Sequence, residues 1–455
     1  MNPKFITNIL LLFLVFSLNA QHSDNIRLVA HWNGEDVPFF GSAKYNDVWG
    51  FTVNGEEYGC IGSTEGTHIF SLPENHLIKE VAYIPGRFQG SVVHRDFAFH
   101  EGYLYAVCDQ GSSSLQVIDV QNLPLEAPVI LDDTTYVKTA HNVTVDYFGE
   151  KLYISGVAGS PMKVFDISET PNNPEFVFDL IDLENIEYVH DVYARRDSVF
   201  MNCGNQGMFI YDFSSPSNPQ IISSLTSYVG QGYNHSGWVS PDGNYYVFTD
   251  ETPGHRLKIL DISDITDLEL ISVFNSELNL KNDYVTHTAA HNVEWIDDKI
   301  YVSHYFDGLQ IFDVSDPESP KEFGFYDTYT EDNSDWRGAW GIHVMPSGRI
   351  LISDRQTGFY VFKEVDEDDD TSQIWVYPNP SKGEFSINLS NLEYNVARLE
   401  LFDGQGKRVI NQEFLNPKDD LRHLRISVPG LKSGVYNLRV SLDSEFVEMK
   451  RIIIQ

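Results

Sequence analysis

Leu115-Gln-Val-Ile-Asp119, Met162-Lys-Val-Phe-Asp166, Met208-Phe-Ile-Tyr-Asp212, Leu257-Lys-Ile-Leu-Asp261 and Leu309-Gln-Ile-Phe-Asp313 are copies of one pattern within one chain. Each is an apolar-alternating strand that stops on Asp, followed by an apolar residue and then, in most copies, by Ser or a Pro-bearing turn. Degenerate copies at Thr67-His-Ile-Phe70 and Phe359-Tyr-Val-Phe362 complete a set of seven. Self-similarity at a period of roughly 45 to 55 residues points to a radial repeat architecture.

Working outward, each copy is preceded by a second strand, such as Tyr103-Leu-Tyr-Ala-Val107, Lys151-Leu-Tyr-Ile-Ser155 or Lys299-Ile-Tyr-Val-Ser303. Before that comes a third, opening on His-Asn-Val or His-Asp-Val. After the Asp-bearing strand comes a fourth, such as Glu175-Phe-Val-Phe178 or Pro219-Gln-Ile-Ile222. Short β-rich runs parted by Gly, Asp, Asn and Pro are hairpin signals, and four strands per unit make a propeller blade. The last unit runs out after its third strand, where Glu364 opens an acidic tract. Arg27-Leu-Val-Ala-His-Trp32, near the N-terminus, reads as the missing fourth strand, which would close the ring and leave no unpaired sheet edge. The expected fold is all-β: a seven-bladed β-propeller over 25–363, closed by an N-terminal strand.

Glu364-Val-Asp-Glu-Asp-Asp-Asp370 is a self-repelling stretch of low apolar content, read as a linker over 364–373. Beyond it, 374–455 alternates apolar and polar residues through Glu384–Leu389, Arg398–Phe402 and Gly434–Val440, and stops on Lys450-Arg-Ile-Ile-Ile-Gln455. This predicts a small antiparallel β-sandwich whose last strand is the C-terminus. At the other end, Lys4, the apolar run Ile9–Leu18 and Ala20 read as a secretory signal over residues 1–20. No later stretch is long and apolar enough to suggest a transmembrane segment in the mature protein.

Sixty-six acidic against 31 basic residues give a formal charge of -35, which repels nucleic-acid and anionic lipid surfaces and favours cationic or neutral ligands. Cys60, Cys108 and Cys203 are odd in number and widely spaced, which argues against a disulfide framework or a thiolate zinc site. They are expected to be buried small hydrophobes.

Two resemblances extend this reading. Val376-Tyr-Pro-Asn-Pro380, the Leu401–Lys407 hairpin, Leu431-Lys-Ser-Gly-Val-Tyr436 and Lys450–Ile454 resemble the type A C-terminal sorting domain of the Bacteroidetes type IX secretion system. That resemblance implies export across both membranes to the cell surface or medium, with the secretion machinery as a partner. It assigns sorting-signal roles to Pro378, Asn379, Pro380, Gly434, Tyr436, Lys450 and Arg451. The propeller resembles the LVIVD-repeat proteins of the choice-of-anchor B family, through Asp47-Val-Trp-Gly-Phe51, Arg95-Asp96, His141-Asn-Val143, His235-Ser-Gly-Trp238, His291-Asn-Val293, Trp340-Gly-Ile342 and Ser353-Asp354. His343 departs from the aromatic that relatives often carry there.

Aligning the units places Asn46, His94, His141, His190, His235, His291 and Trp340 at the start of the innermost strand, where propeller geometry sets them around the central channel. The loops after the second strand add Glu65, Asp109, Gln206, Asp250, Glu251, His304, Asp307, Asp354 and Arg355 on the same face. Three readings stand. The histidines lock blade to blade through hydrogen bonds; they and Trp238, Trp340, Asp250, Asp354 and Arg355 grip a ligand; or His141, His190 and His291 contribute to a divalent-metal site. Trp238 stacks on a ligand or fills a blade interface. Asp119, Asp166, Asp212, Asp261 and Asp313 are expected to be turn formers.

Recognised catalytic signatures, including GxSxG, HExxH and phosphate-binding loops, do not occur. The expected role is a non-enzymatic extracellular interaction scaffold for a protein or glycan, needing no cofactor. The alternatives are a hydrolase or lyase with a divalent cation at the His-lined channel mouth, and a purely structural envelope component.

Overall fold

The computed structural model describes residues 23–73, 78–182, 186–276, 288–329, 336–365, 374–377, 381–389, 396–403, 406–415, 423–443 and 445–454. The signal segment, most of the acidic linker and Pro378, Asn379 and Pro380 lie outside the described residues.

Seven antiparallel sheets follow one another around a ring, and their innermost strands touch in succession, the seventh against the first. Those innermost strands are Tyr45–Val53, Arg95–His100, Asn142–Asp146, Asp191–Arg195, Asn234–Val239, Val293–Ile296 and Ala339–Val344, numbered here as blades one to seven. The five Asp-ending strands are the third strands of blades two to six. Their carboxylates accept the backbone NH two residues on: Gln121, Ser168, Ser214, Ser263 and Ser315. A short side chain that satisfies a turn NH explains why the sequence signature ends on Asp.

The ring closes as the sequence suggests. Ile26–Trp32 pairs antiparallel with Gly358–Glu364, Leu28 opposite Phe362 and Trp32 opposite Phe359, and supplies the fourth strand of blade seven. Glu364, read as the first linker residue, is the last residue of that strand; it accepts the Tyr301 hydroxyl and pairs with Lys299. Ser23–Asp24, which the sequence did not single out, adds a fifth strand to the outer edge of blade six. Apolar residues interleave between blades, as where Phe70 of blade one stacks on Phe359 of blade seven at 5.1 Å. All three cysteines are buried and free.

The C-terminal unit is a sandwich of a three-stranded and a four-stranded sheet around Phe385, Ile387, Leu399, Leu401, Leu438 and Ile452. Its last strand, Glu445–Ile454, pairs along Gly434–Leu442. Among the described residues, no helix is long and apolar enough to cross a membrane.

Candidate functional site

The channel is lined by a short motif read once per blade. In blades three to six it runs His141-Asn-Val-Thr, His190-Asp-Val-Tyr, His235-Ser-Gly-Trp and His291-Asn-Val-Glu. Strict strand alternation would turn the first two residues to opposite faces. Register shifts interrupt the innermost strands between Tyr45 and Val48, Asn234 and Gly237, and Ala339 and Ile342, and such bulges let successive residues border one space.

The first motif position makes a closed belt of rings. His94, His141, His190, His235, His291 and Trp340 follow one another at centroid separations of 4.9, 4.2, 4.1, 4.3 and 4.7 Å, and Trp340 returns to His94 at 4.9 Å. Six rings thus encircle seven blades. The seventh sector belongs to Asn46, which is fully buried and whose amide oxygen and nitrogen make no hydrogen bond.

Blade two departs from the sequence alignment. Asp96, Asn142 and Asp191 pair with Val107, Ser155 and Asn202, each three residues beyond the buried Leu104, Leu152 and Val199. Arg95, not His94, therefore holds the register of His141. The Arg95 guanidinium turns toward blade one, donating from Nε to the Ser63 carbonyl at 3.0 Å, and His94 fills the belt from one residue earlier.

Loop residues divide into two sets. Asp109, Glu251 and Arg355 abut the belt. Asp109 bonds His141 Nδ1 at 3.1 Å; Glu251 lies 3.6 Å from His235 Nε2 and 3.9 Å from His291 Nε2; Arg355 lies over the Trp340 ring at 4.1 Å. Asp250, Asp354, His304, Asp307 and Gln206 are instead engaged with the scaffold. Asp250 accepts Lys258 Nζ at 2.6 Å, the Tyr228 hydroxyl and the Gly232 NH. Asp354 accepts the Thr328 hydroxyl and the NH groups of Gln356 and Thr357. His304 bridges Thr288 and Asn275, Asp307 accepts Ser276, and Gln206 accepts the Glu187 NH.

His141, His190 and His291 do not converge as a trio among the described residues. Two other groupings bring their ligand atoms within 4.8 Å of one another: His94, Asp109 and His141, and His190, His235 and Glu251. Burial holds His94 down at about 3 and depresses His190, His235 and His291 well below the imidazole range, so these rings are neutral.

The second motif position makes an acid and amide tier: Asp47, Asp96, Asn142, Asp191 and Asn292. Asp47 and Asp96 are neighbours in this tier; the Asp47 Oδ2 accepts the Asn292 amide at 3.2 Å and the Asp96 Oδ2 accepts the Val143 NH at 2.6 Å. Burial pushes Asp47 up to about 6 and Asp191 up to about 7, and burial with the Asp47 charge raises Asp96 further. Blade seven has Gly341 here, because a Cβ would lie 1.8 Å from Asp47 Oδ1.

Beyond that tier the channel opens into a cavity of about 260 Å³. Its wall includes the last motif position, Trp49, Thr144, Tyr193, Trp238 and Glu294, with Tyr147 and Phe148 from the following turn of blade three. Trp238 sits here, packed 4.9 Å from Tyr193, at the far end of the channel from the histidine belt with which the sequence grouped it. His343 stacks on Trp49 at 4.2 Å and bonds Glu294 at 2.8 Å. Tyr147 and Phe148 are 52% and 61% exposed, so this aromatic mouth faces solvent. Sequence reading missed Trp49, Tyr147, Phe148 and Tyr193; the aromatic recurring three residues after the motif start was the available signal.

Residues 290–328, the core of blade six, match the LVIVD repeat, and residues 375–455 match the secretion system C-terminal sorting domain. The chain is a β-propeller that carries an LVIVD repeat, followed by a type IX sorting domain. Among solved structures, a protein from Lactobacillus plantarum shares 12% identity at a TM-score of 0.52, covering 85% of this chain and 99% of that one. The WD40 repeats of RRP9 share 10% at 0.52, covering 74% and 97%, and the β-propeller domain of Myceliophteria thermophila Cps50 (Swd1) shares 12% at 0.51, covering 75% and 100%. At such identities the likeness speaks for the propeller fold alone. No curated protein matches the chain.

The sorting domain sends the propeller by type IX secretion to the cell surface or the extracellular space. Within it, Gly434 opens the strand that carries Tyr436, whose hydroxyl donates to the Lys432 carbonyl at 2.8 Å. Lys450 and Arg451 lie opposite Leu438 and Asn437 in the final strand.

Proposed function

We propose that the protein is an extracellular binding scaffold that takes a neutral or amino-bearing glycan at the aromatic end of its channel. The observation that carries this reading is the cavity of about 260 Å³ walled by Trp49, Tyr147, Tyr193 and Trp238 and floored by Asp47, Asp96, Asp191 and two Asn amides. Flat aromatic faces beside convergent carboxyl and amide groups suit a polyhydroxylated ligand, stacked on one side and hydrogen-bonded on the other. The formal charge of -35 and the acid tier disfavour anionic saccharides. Binding rather than catalysis is the role assigned, because Asp47, Asp96 and Asp191 each accept a backbone NH of the strands that carry the tier and so are held as fixed polar groups.

The test is an array of neutral, amino and acidic glycans probed with the full mature chain and with Trp238→Ala, both checked for an unchanged melting transition. The reading expects neutral or amino glycans to be retained by the native protein and lost by the variant. Binding confined to acidic glycans, or indifferent to Trp238, would refute it.

A further inference from the structure

We propose that His190, His235 and Glu251, with His291 beside them, form a binding site for a zinc-like divalent cation on the histidine belt, at the end of the channel opposite the aromatic cavity.

Geometry is the first support. The three ligand atoms lie within 4.8 Å of one another, and His235 Nε2 is 3.6 Å from Glu251 Oε2. Ligands bound tetrahedrally at the zinc–nitrogen and zinc–oxygen distances sit roughly 3.4 Å apart, so this pair is already at coordinating separation.

The second support is unspent bonding capacity. His235 is 2% exposed, yet its Nε2, 3.6 Å from Glu251 Oε2, makes no hydrogen bond, and His190 Nδ1 is likewise buried and unpartnered. Buried polar atoms almost always find partners, so unpartnered imidazole nitrogens within the grouping leave bonding capacity for an ion. The other histidine grouping lacks this property. There Gln110, whose amide oxygen accepts two backbone NH groups, donates its amide nitrogen to His94 Nδ1 at 3.0 Å, and His141 Nδ1 is bonded to Asp109.

The third support is the surrounding shell. His291 Nδ1 must donate to the Trp340 carbonyl at 2.8 Å, which leaves its Nε2 lone pair on the side of Glu251, 3.9 Å away. The Tyr305 hydroxyl donates to Glu251 Oε1 and leaves Oε2 turned to His235. Outer partners that fix ring tautomer and carboxylate orientation are what metal ligands carry. Imidazoles with one carboxylate select zinc or a neighbouring transition ion over calcium or magnesium, which need mostly oxygen. Arg355 opposes the added charge, but it is held over the Trp340 ring, and the Glu251 side chain is 21% exposed, which leaves an approach from solvent.

The experiment uses the full mature chain, stripped with chelator and titrated with Zn²⁺ by calorimetry and with Co²⁺ by visible absorption. One equivalent should bind, with the intense visible bands of tetrahedral Co²⁺. Glu251→Gln, nearly isosteric, should weaken Zn²⁺ binding at least tenfold and abolish the bands while Asp109→Asn retains both; His190→Gln gives the same reading if Glu251→Gln fails to fold. No stoichiometric binding, binding unchanged by loss of Glu251 or His190, or equal loss in Asp109→Asn would overturn the proposal.

Discussion

His291 donates its Nδ1 hydrogen to the carbonyl oxygen of Trp340 at 2.8 Å, a bond that crosses from the sixth blade to the seventh. The carbonyl of His291 itself accepts Ser236 and Thr249 of blade five, at 2.8 and 2.7 Å. One residue thus ties three blades at the channel wall, which is the locking role that a repeated histidine can serve.

His291→Ala should therefore destabilise the propeller by about 1–3 kcal/mol, the range for a buried hydrogen bond whose partner is left unsatisfied. Urea unfolding measures it. The Ser236 and Thr249 bonds survive because they end on backbone, so the loss should stop short of unfolding.

Ring closure makes a separate prediction. Ile26 and Leu28 are buried against Tyr326, Tyr360 and Phe362 in a strand whose partner is the third strand of blade seven. Leu28→Ala should cost about 2–5 kcal/mol, and deletion of the strand should expose Gly358–Glu364 as an open edge. Light scattering during a thermal ramp should then show aggregation at lower temperature than for the intact chain.

Asp250 and Lys258 are both fully buried and bonded at 2.6 Å. Removing one partner leaves an uncompensated charge, so Asp250→Ala should lose about 3–5 kcal/mol. Glycan binding per folded molecule should be unchanged, which separates Asp250 from the ligand surface.

The channel groups set opposing pH responses. Asp191 has its folded pKa pushed up to about 7, so its contribution is complete below about pH 4 and is lost as pH rises through 7. Burial depresses His190, His235 and His291, whose contribution is present above about pH 6.5 and is lost as pH falls. Asp191→Asn should accordingly gain in melting temperature relative to the native protein between pH 4 and pH 8, with little difference at the acid end. A gain that is constant with pH would contradict the assignment.

Much of this was legible because propeller strands write themselves in short range: alternation, an Asp that caps its own turn, and a fourth strand missing from one end of the repeat. The histidine belt was legible for the same reason, since equivalent positions in a ring must face one axis. His94 was displaced by one because an adjacent Arg95 takes the strand register, and pairing between strands is not written in the residues of one strand. The scaffold partners of Asp250 and Asp354 were not legible because a carboxylate beside a channel looks alike in sequence whether it meets Lys258, backbone NH or a ligand. The aromatic mouth escaped because Trp49, Tyr193 and Trp238 come from blades one, four and five while Tyr147 and Phe148 come from a turn of blade three, and only closure of the ring brings them together.

Ligand recognition takes place, on this reading, at that mouth. Titrating the full chain with the tightest-binding array glycan, followed by tryptophan fluorescence, tests it most directly. Saturable binding that changes the emission and weakens at least tenfold in both Trp238→Ala and Tyr193→Ala, but not in Glu251→Gln, is the predicted result; equal affinity in all four proteins would contradict it.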